Sequence, residues 1–261
     1  MSPASVDYDA ARRFGGLDRL YGAVGADRIR SAHVMVIGIG GVGSWAVEAL
    51  VRSGVGHITM VDMDHVSESN INRQIHATQG TLGQSKIAAM QDRIASINPV
   101  CEVTCIDDFV TPENWLSLIP DDVDVVIDAC DQVHAKVAMA AWAMRQKNTQ
   151  RFFISVGAAG GKRLAHLVDI DDLSKTTHDP LLAQLRYRLR KEHAAPREGR
   201  KIAVSCIFSK EAVKQPNKTN ANDSTDRTLN CHGYGSVVSV TATFGQCAAG
   251  WALDKLANLV H

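Results

Sequence analysis

Three charged side chains in the first half of the chain could together handle a polyphosphate. Arg73 and Lys86 are cations of the kind that hold phosphate oxygens. Asp131 follows the predicted strand 123–127 and offers a carboxylate suited to Mg²⁺. Hydride transfer needs none of these groups, whereas the chemistry of ATP needs all three. The set therefore favours ATP over a nicotinamide dinucleotide as the ligand.

A glycine-rich turn lies ahead of these residues in a pattern typical of a nucleotide-binding half. The predicted order is a strand over 34–37, a turn, a helix over about 44–53 and a strand over 57–61 that ends in Asp62. The glycines of the turn are Gly38, Gly40, Gly41 and Gly43. They let the backbone approach a phosphate, the following helix directs its N–H groups at the anion, and Asp62 can accept hydrogen bonds from ribose hydroxyls. The alternative is a turn that only packs helix on sheet.

The order of these residues resembles the E1-like (ThiF-type) superfamily of adenylating enzymes, over about residues 10–160. The matching residues are the four glycines with Ser44, then Asp62, Asp64, Asn70-x-Asn72-Arg73-Gln74, Lys86 and Asp128-x-x-Asp131. The resemblance implies an α/β fold with a doubly wound, Rossmann-like mixed sheet and a smaller C-terminal α+β extension. It also implies ATP and Mg²⁺ as cofactors.

The resemblance implies a role for each matching residue. Asp62 would hold the ribose and Asp131 the Mg²⁺. The implied nucleotide-binding set is Gly38, Gly40, Gly41, Gly43, Asp62, Asp64, Asn70, Arg73, Gln74, Lys86 and Asp128. The implied catalytic set is Arg73, Lys86, Asp131 and Arg13, an arginine that reaches the partner's ATP site in bacterial homodimers of this superfamily; Arg12 and Arg19 are alternatives to it. Taken singly, Asn70 could be a cap, and Arg73 and Lys86 surface charges.

The rest of the chain is similar to one branch of that superfamily, the tRNA threonylcarbamoyladenosine dehydratases. The similar segments are RFGGLDRLYG, DACDQ, GAAGG, KIAVSCIFS and a C-terminal tail of small residues. The resemblance implies that a threonyl carboxylate of the modified tRNA is adenylated and then closes a ring with loss of water. Implied partners are tRNA carrying threonylcarbamoyladenosine, a second copy in a homodimer, and the sulfur-acceptor protein of a cysteine desulfurase system.

A cluster of cations is predicted on and after a helix over 181–193. Its members are Arg186, Arg188, Arg190, Lys191, Arg197, Arg200 and Lys201. The whole chain carries 28 Lys and Arg against 28 Asp and Glu, so any nucleic-acid site must be a local patch. We expect this cluster to contact tRNA phosphates; the alternative is a solvated helix face.

The six cysteines contain no C-x-x-C pair, which argues against the zinc ribbon found in many sulfur-carrier activators. Cys231, beside His232, and then Cys206 are the candidates for a nucleophilic thiol, with a structural role as the alternative. Ring closure within the substrate would require no enzyme thiol. The small residues of 157–161 could leave room for a substrate over the α-phosphate, or could form a plain turn.

Residues 233–253 lack charge and are long enough to span a membrane. Their serines, threonines and glycines instead predict a buried helix, although the segment could be mistaken for a span or associate with a membrane. The first 30 residues lack an apolar signal region, so we expect a cytoplasmic protein. The predicted divisions are an N-terminal helical arm (1–30), an ATP-binding domain (31–165) and a substrate-, tRNA- and dimer-associated extension (166–261).

Two other functions remain open from the sequence. The first is an adenylating enzyme for a ubiquitin-like sulfur-carrier protein, which predicts activation of a Gly-Gly carboxylate. The second is a nucleotide-gated binding or redox protein, which predicts NAD binding or no turnover. The charges at positions 73, 86 and 131 argue against the second.

Overall fold

The computed structural model describes residues 8–146, 150–197, 199–214 and 234–259. Its centre is a seven-stranded sheet in the order β3-β2-β1-β4-β5-β7-β6. The strands are β1 His33–Ile37, β2 His57–Val61, β3 Glu102–Ile106, β4 Val125–Asp128, β5 Phe152–Val156, β6 Val168–Asp172 and β7 Ser205–Ser209. All neighbours are parallel except β6 and β7, which confirms the predicted mixed α/β sheet.

Helices cover both faces of the sheet, so the central strands are apolar throughout. The helices are α1 Ala10–Ser31, α2 Gly43–Arg52, α3 Lys86–Ile97, α4 Trp115–Leu118, α5 Val133–Arg145, α6 Pro180–Glu192 and α7 Val238–Ala257. One buried cluster joins α2, α3 and α7 to one face, and a second joins α5 and α6 to the other. Every residue of β1 is buried, as expected for a parallel strand with a helical layer on each side.

The charge-free run near the C-terminus forms α7, which packs closely on α2. A Cβ placed at Gly245 would lie 2.5 Å from the carbonyl oxygen of Val42 and 2.7 Å from Cβ of Trp45, so a larger residue would separate the two helices. Ten residues of α7 are buried, which explains its apolar composition. Among the described helices, none is long and apolar enough to cross a membrane.

The N-terminal arm is one long helix with a kink. Helix α1 begins after Asp9, whose carboxylate accepts a hydrogen bond from the backbone N–H of Arg12. Gly22 adopts φ 73° inside the helix, which bends it at that point. Beyond the kink, Gly25 packs against Ala257 of α7. The helix predicted over 17–30 is therefore the second part of a longer element.

Two strands in the C-terminal part begin later than the sequence predicts. A strand expected over 163–169 is observed as β6 over Val168–Asp172. It begins late because the Glu211 carboxylate accepts hydrogen bonds from the backbone N–H groups of Arg163 and Leu164, at 2.8 Å each. A strand expected over 202–208 is observed as β7 over Ser205–Ser209. Its start is also late, because the Asp172 carboxylate accepts hydrogen bonds from the backbone N–H groups of Ile202 and Ala203. A carboxylate thus replaces ladder hydrogen bonds at both starts.

Candidate active site

A cavity of about 560 Å³ opens at the carboxyl ends of the parallel strands. Strand β1 pairs with β2 on one side and β4 on the other, so the chain crosses in opposite directions from β1. Such a switch point leaves a crevice above the strand ends, which is where nucleotides bind in doubly wound sheets. The glycine turn, Asp62, Asp64, Asn70, Arg73, Gln74, Lys86, Asp131 and the loop after β5 all line this cavity.

Two of the four glycines are required by the geometry of the turn. Gly38 has φ 85°, and a Cβ there would lie 2.9 Å from the backbone nitrogen of Cys130. A Cβ at Gly43 would lie 1.8 Å from the carbonyl oxygen of Gly38. Gly40 has open space where a side chain would be, so the cavity reaches its backbone. Helix α2 begins directly after this turn, which suits an anion.

Asp62 is held in place by the backbone around it. Its carboxylate accepts hydrogen bonds from the N–H of Ile39 at 2.6 Å and from the N–H of Asp64 at 2.8 Å. Burial raises the pKa of this carboxyl, although Lys86 and the two N–H groups act in the opposite direction. A carboxylate has about four lone-pair positions, so Asp62 can still accept a ribose hydroxyl.

Lys86 reaches the cavity as half of an ion pair. Its ammonium lies 2.6 Å from Asp64, with the lysine side chain 8% exposed and the aspartate 54% exposed. The carboxylate therefore holds the long lysine side chain in one position. A phosphate group entering the cavity would meet a cation whose rotamer is already fixed.

The polar run after β2 contributes three residues in different ways. Arg73 is partly exposed and donates to the carbonyl oxygen of Ser69 at 2.7 Å. Asn70 is buried and caps its own turn, accepting from the N–H of Ser67 at 3.0 Å. Gln74 is buried, and within the described chain its side-chain oxygen has no hydrogen-bond partner. That oxygen and the Arg73 guanidinium remain available to a ligand in the cavity.

Asp128 does not line the cavity, in contrast to the prediction that it binds the nucleotide. It is fully buried and forms an ion pair with Lys136 at 3.0 Å, while its carboxylate also accepts from the hydroxyl of Ser155 at 2.6 Å. Because Lys136 is fully buried too, the pair fixes β4 against α5 and β5. Asp128 supports the wall of the site from behind.

Asp131 is exposed and lines the cavity, as predicted for a metal ligand. Asp64 lines the same cavity, so two carboxylates face the space that the phosphates would occupy. Mg²⁺ in nucleotide sites is held by one or two carboxylates, by phosphate oxygens and by water. The donor set therefore fits Mg²⁺.

The cationic cluster is divided by the fold into internal and exposed members. The guanidinium of Arg186 donates to the carbonyl oxygens of Leu173 and Thr176 at 2.9 and 3.0 Å, so it closes a turn. Arg188 and Arg190 bond to His134 and to the carbonyl of Pro196. Exposed members are Lys191, Arg197, Arg200 and Lys201. Arg186 is half-buried and its Nη1 is used inside the protein, so among the seven it is the least suited to contact tRNA.

Neither Cys206 nor Arg13 lines this cavity. Cys206 is fully buried in β7, and burial raises the pKa of its thiol well above the ordinary value, which favours a structural role over a nucleophilic one. Cys231 lies outside the described residues. Arg13 is exposed on α1 and donates to the carbonyl oxygen of Ile97 at 2.6 Å in its own subunit.

Sequence reasoning missed several residues that shape the site. The indole N–H of Trp45 donates to the carbonyl oxygen of Arg73 at 2.9 Å and fixes that residue's backbone. Phe109 lines the cavity and is 46% exposed. His76 is buried near Lys86, and burial lowers its pKa to about 4. None of these belongs to a recognisable motif. By contrast, α6 begins with Asp179-Pro180, a pair whose residue types are typical of a helix start.

The fold and the site together define a member of a known family. Residues 15–259 match the model of the ThiF family, and the chain belongs to this family. It is 44% identical to the tRNA threonylcarbamoyladenosine dehydratase of Haemophilus influenzae, over 94% of this chain and 93% of that protein. These matches confirm the superfamily and the branch predicted from the sequence.

Solved structures agree with this assignment. The tRNA N6-threonylcarbamoyladenosine dehydratase of Escherichia coli in complex with ATP is 42% identical and has a TM-score of 0.83, covering 96% of both chains. By contrast, a sulfur carrier protein adenylyltransferase of Thermus thermophilus is 36% identical over 42% of this chain and 40% of that protein. The likeness to the dehydratases covers nearly the whole chain, whereas the likeness to the carrier-activating enzyme covers less than half of it.

Proposed function

We propose that this protein dehydrates N6-threonylcarbamoyladenosine in tRNA to its cyclic form, with cleavage of ATP to AMP and pyrophosphate. The observation that carries the proposal is one cavity lined by Asp62, by the cations Arg73 and Lys86, by Asp131 and by a loop of small residues, a set that suits the ribose, phosphates and metal ion of bound ATP. The likeness to dehydratases over nearly the full length supports the choice of substrate.

ATP would enter the cavity with its phosphates over the glycine turn. Asp62 would accept hydrogen bonds from the ribose, and the glycine backbone together with the start of α2 would meet the phosphates. Lys86 and Arg73 would neutralise the charge that develops on the leaving pyrophosphate. When bound, Mg²⁺ would be held by Asp131, with Asp64 as the second carboxylate, and would supply charge neutralisation at the phosphates.

The reaction needs two successive displacements. In the first, the threonyl carboxylate attacks the α-phosphorus of ATP and the bond from that phosphorus to the oxygen bridging it to the β-phosphate breaks. Pyrophosphate is released and an acyl-adenylate is formed. A nitrogen of the substrate's own carbamoyl group then attacks the acyl carbon, loses its proton, and AMP leaves as the ring closes. Because the second attack is intramolecular, orientation supplies most of its rate and no enzyme thiol is required.

The exposed members of the cationic cluster would hold the tRNA. Lys191 lies 6.0 Å from the ring of Tyr187, which is 65% exposed on the same helix. Arg197, Arg200 and Lys201 continue the exposed charge beyond the helix end. Cations beside an exposed aromatic suit phosphate contacts with a stacked base.

The protein would act as a homodimer in which Arg13 of one subunit completes the ATP site of the other. The exposure of Arg13 on the arm supports this role, because the arginine could exchange its bond with Ile97 for a partner's phosphate.

We keep the sulfur-acceptor protein of a cysteine desulfurase system as a further candidate partner, on the resemblance alone. We expect the protein to work in the cytoplasm, where its tRNA substrate would be found.

The choice of substrate can be tested with radiolabelled ATP. We expect AMP to form with tRNA that carries threonylcarbamoyladenosine and not with the same tRNA lacking the modification. A sulfur-carrier protein with a C-terminal Gly-Gly should not stimulate AMP formation or pyrophosphate exchange. Turnover with the carrier alone would instead establish the carrier-activating function.

A further inference from the structure

The carboxylate that caps α6 also holds the loop at the substrate end of the cavity. One oxygen of Asp179 accepts from the N–H of Leu182, in the first turn of the helix, at 3.0 Å. The other accepts from the N–H of Ala158, in the loop after β5, at 2.9 Å. Gly157, Ala158 and Leu181 all line the cavity. The start of α6 and the substrate loop are therefore joined through one side chain.

The packing around this carboxylate leaves no room for an alternative arrangement. A Cβ at Gly157 would lie 2.1 Å from the Asp179 oxygen, so the close approach requires glycine. Asp179 is 6% exposed. A buried carboxylate that accepts from two separate backbone N–H groups resists displacement, because moving either partner leaves a donor and an oxygen unpaired.

A buried lysine fixes the residue before this cap. The Lys162 ammonium donates to the carbonyl oxygens of His178, Ser209 and Glu211 at 3.0, 3.3 and 2.8 Å. Lys162 lies at the far end of the same loop, so the loop is anchored on both sides of the cavity-lining residues. His178 has φ 54°, a conformation that surrounding contacts must hold in place.

We propose that Asp179 is a positioning residue that sets the substrate loop beside the α-phosphate and ties its position to α6, the helix that begins the proposed tRNA-contacting surface. This inference rests on the proposed function. The exposed Lys191 lies near the C-terminal end of α6, and Asp179 caps its N-terminal end. Binding of tRNA at Lys191 would therefore act on the substrate loop through the helix. The threonyl carboxylate of the substrate would then contact a loop of fixed geometry.

The test is Asp179→Asn, which keeps one acceptor oxygen and replaces the other by an NH₂ group facing a backbone N–H. We expect the remaining oxygen to keep capping α6, because asparagine is a favourable N-cap residue, and the bond to Ala158 to be lost. The kcat for AMP formation should fall more than about tenfold, because a misplaced threonyl carboxylate attacks the α-phosphorus more slowly. The KM for ATP should stay within about twofold, because the hydrogen bonds of Asp179 go to the substrate loop and to α6 and not to the phosphate-binding cations.

Asp172→Asn is the matched control. Asp172 also caps a helical turn and accepts from the N–H groups of Ser174, Ile202 and Ala203, but none of these three partners lines this cavity, whereas Ala158, the partner of Asp179, does. Its kcat should remain close to wild type at saturating tRNA. Equal losses of kcat in both variants, or a rise in the KM for ATP equal to the loss of kcat at Asp179→Asn, would overturn the positioning role.

A second readout separates this inference from the function on which it rests. Amide hydrogen exchange of residues 157–161 in the free protein should be faster in Asp179→Asn and unchanged in Asp172→Asn, whatever the substrate is. Asp179→Ser, which can cap α6 but is too short to reach Ala158, should behave the same way if the asparagine variant does not fold. Unchanged exchange in a folded variant would refute the link, whereas faster exchange without any tRNA-dependent turnover in wild type would refute only the function.

Discussion

At the scale of single residues, the cations of the site are fixed before any phosphate enters. Lys86 is bound to Asp64, and Arg73 is bound to the backbone of its own turn. A catalyst that stabilises developing charge gains from such preorganisation, because the protein need not rearrange during the reaction. The exposed carboxylate of Asp64 lies beside the buried ammonium of Lys86 and holds it in position.

We expect Lys86→Ala to lower kcat/KM for AMP formation by roughly 100-fold, since removal of one charge-stabilising donor from an active site costs about 10²–10³ in rate. Lys175→Ala is the control, because Lys175 forms an exposed ion pair with Asp171 outside the cavity. Steady-state AMP release with modified tRNA measures both. A Lys86 variant as active as the control would remove this lysine from the mechanism.

His76 makes stability depend on pH. Burial lowers its pKa to about 4, with Lys86 and Arg93 acting in the same direction, so the folded protein keeps the ring neutral. The unfolded chain takes up a proton near pH 6.5, so stability is lost as pH falls from about 6.5 towards 4. At about 1.4 kcal/mol per pKa unit, the loss at pH 5 is roughly 2 kcal/mol.

Urea unfolding at pH 7 and pH 5 measures this effect. In His76→Gln the difference in unfolding free energy between the two pH values should shrink by about that amount, and in His166→Gln, which changes an exposed histidine, it should not. An unchanged difference in His76→Gln would show that other groups cause the acid sensitivity.

The residues around the phosphates could be predicted from the sequence because their spacing ties them to particular strand ends. Asp62 follows β2 directly, and Asp131 follows β4 after two residues. Asp128 could not be separated from Asp131 by sequence, because both lie at the end of the same strand. The difference arises from Lys136, one helix later, whose ammonium is buried against Asp128 and not against Asp131.

At the scale of elements, α6 combines an internal face with an exposed one. Arg186 is half-buried and its Nη1 bonds to a neighbouring turn, whereas Lys191 and the exposed arginines beyond it face solvent. The sequence pattern predicted the helix over 181–193, which is observed as α6 over Pro180–Glu192. It could not predict which cations are used internally, because their acceptors are carbonyl groups of distant turns.

Replacing Lys191, Arg197 and Arg200 together by alanine should weaken tRNA binding and lower the salt slope of the affinity by about one for each phosphate that the variant no longer neutralises. The protein should stay folded, because these side chains are exposed. Arg186→Ala should instead lower thermal stability, because three acceptors would be left without their donor, with little change in the salt slope. Binding titrations at several salt concentrations measure both; an unchanged slope in the triple variant would exclude this surface.

The strands of the nucleotide-binding half were predictable because each is a short apolar run bounded by turn residues, and β2 has the predicted bounds of 57–61. The later strands were not, because their starts are set by carboxylates far away in sequence, such as Glu211 acting on Arg163. Side-chain hydrogen bonds of this kind leave no periodic signal.

At the scale of the whole molecule, one sheet connects the two halves of the chain. Strand β7 pairs with β5, so the part proposed to contact tRNA continues the sheet of the ATP-binding part. The division into 1–30, 31–165 and 166–261 remains a prediction about function along the chain. Sequence could not reveal the pairing, because it joins segments separated by about 50 residues.

If Arg13 acts in the partner's site, two inactive variants should restore each other. Mixed dimers of Arg13→Ala and Lys86→Ala subunits contain one site with an intact lysine that receives an intact arginine. Random exchange should recover roughly a quarter of wild-type AMP formation. Arg12→Ala and Arg19→Ala subunits serve as controls and should be active unmixed; failure to recover activity would place Arg13 outside the partner's site.

The central claim is that ATP cleavage and loss of water from the modified adenosine are one reaction. The most direct measurement incubates the protein with ATP, Mg²⁺ and tRNA carrying threonylcarbamoyladenosine, then compares AMP formed with the masses of the digested nucleosides. If the two events are coupled, one AMP should form for each modified adenosine that loses the mass of one water. AMP formation with the nucleoside mass unchanged would contradict it.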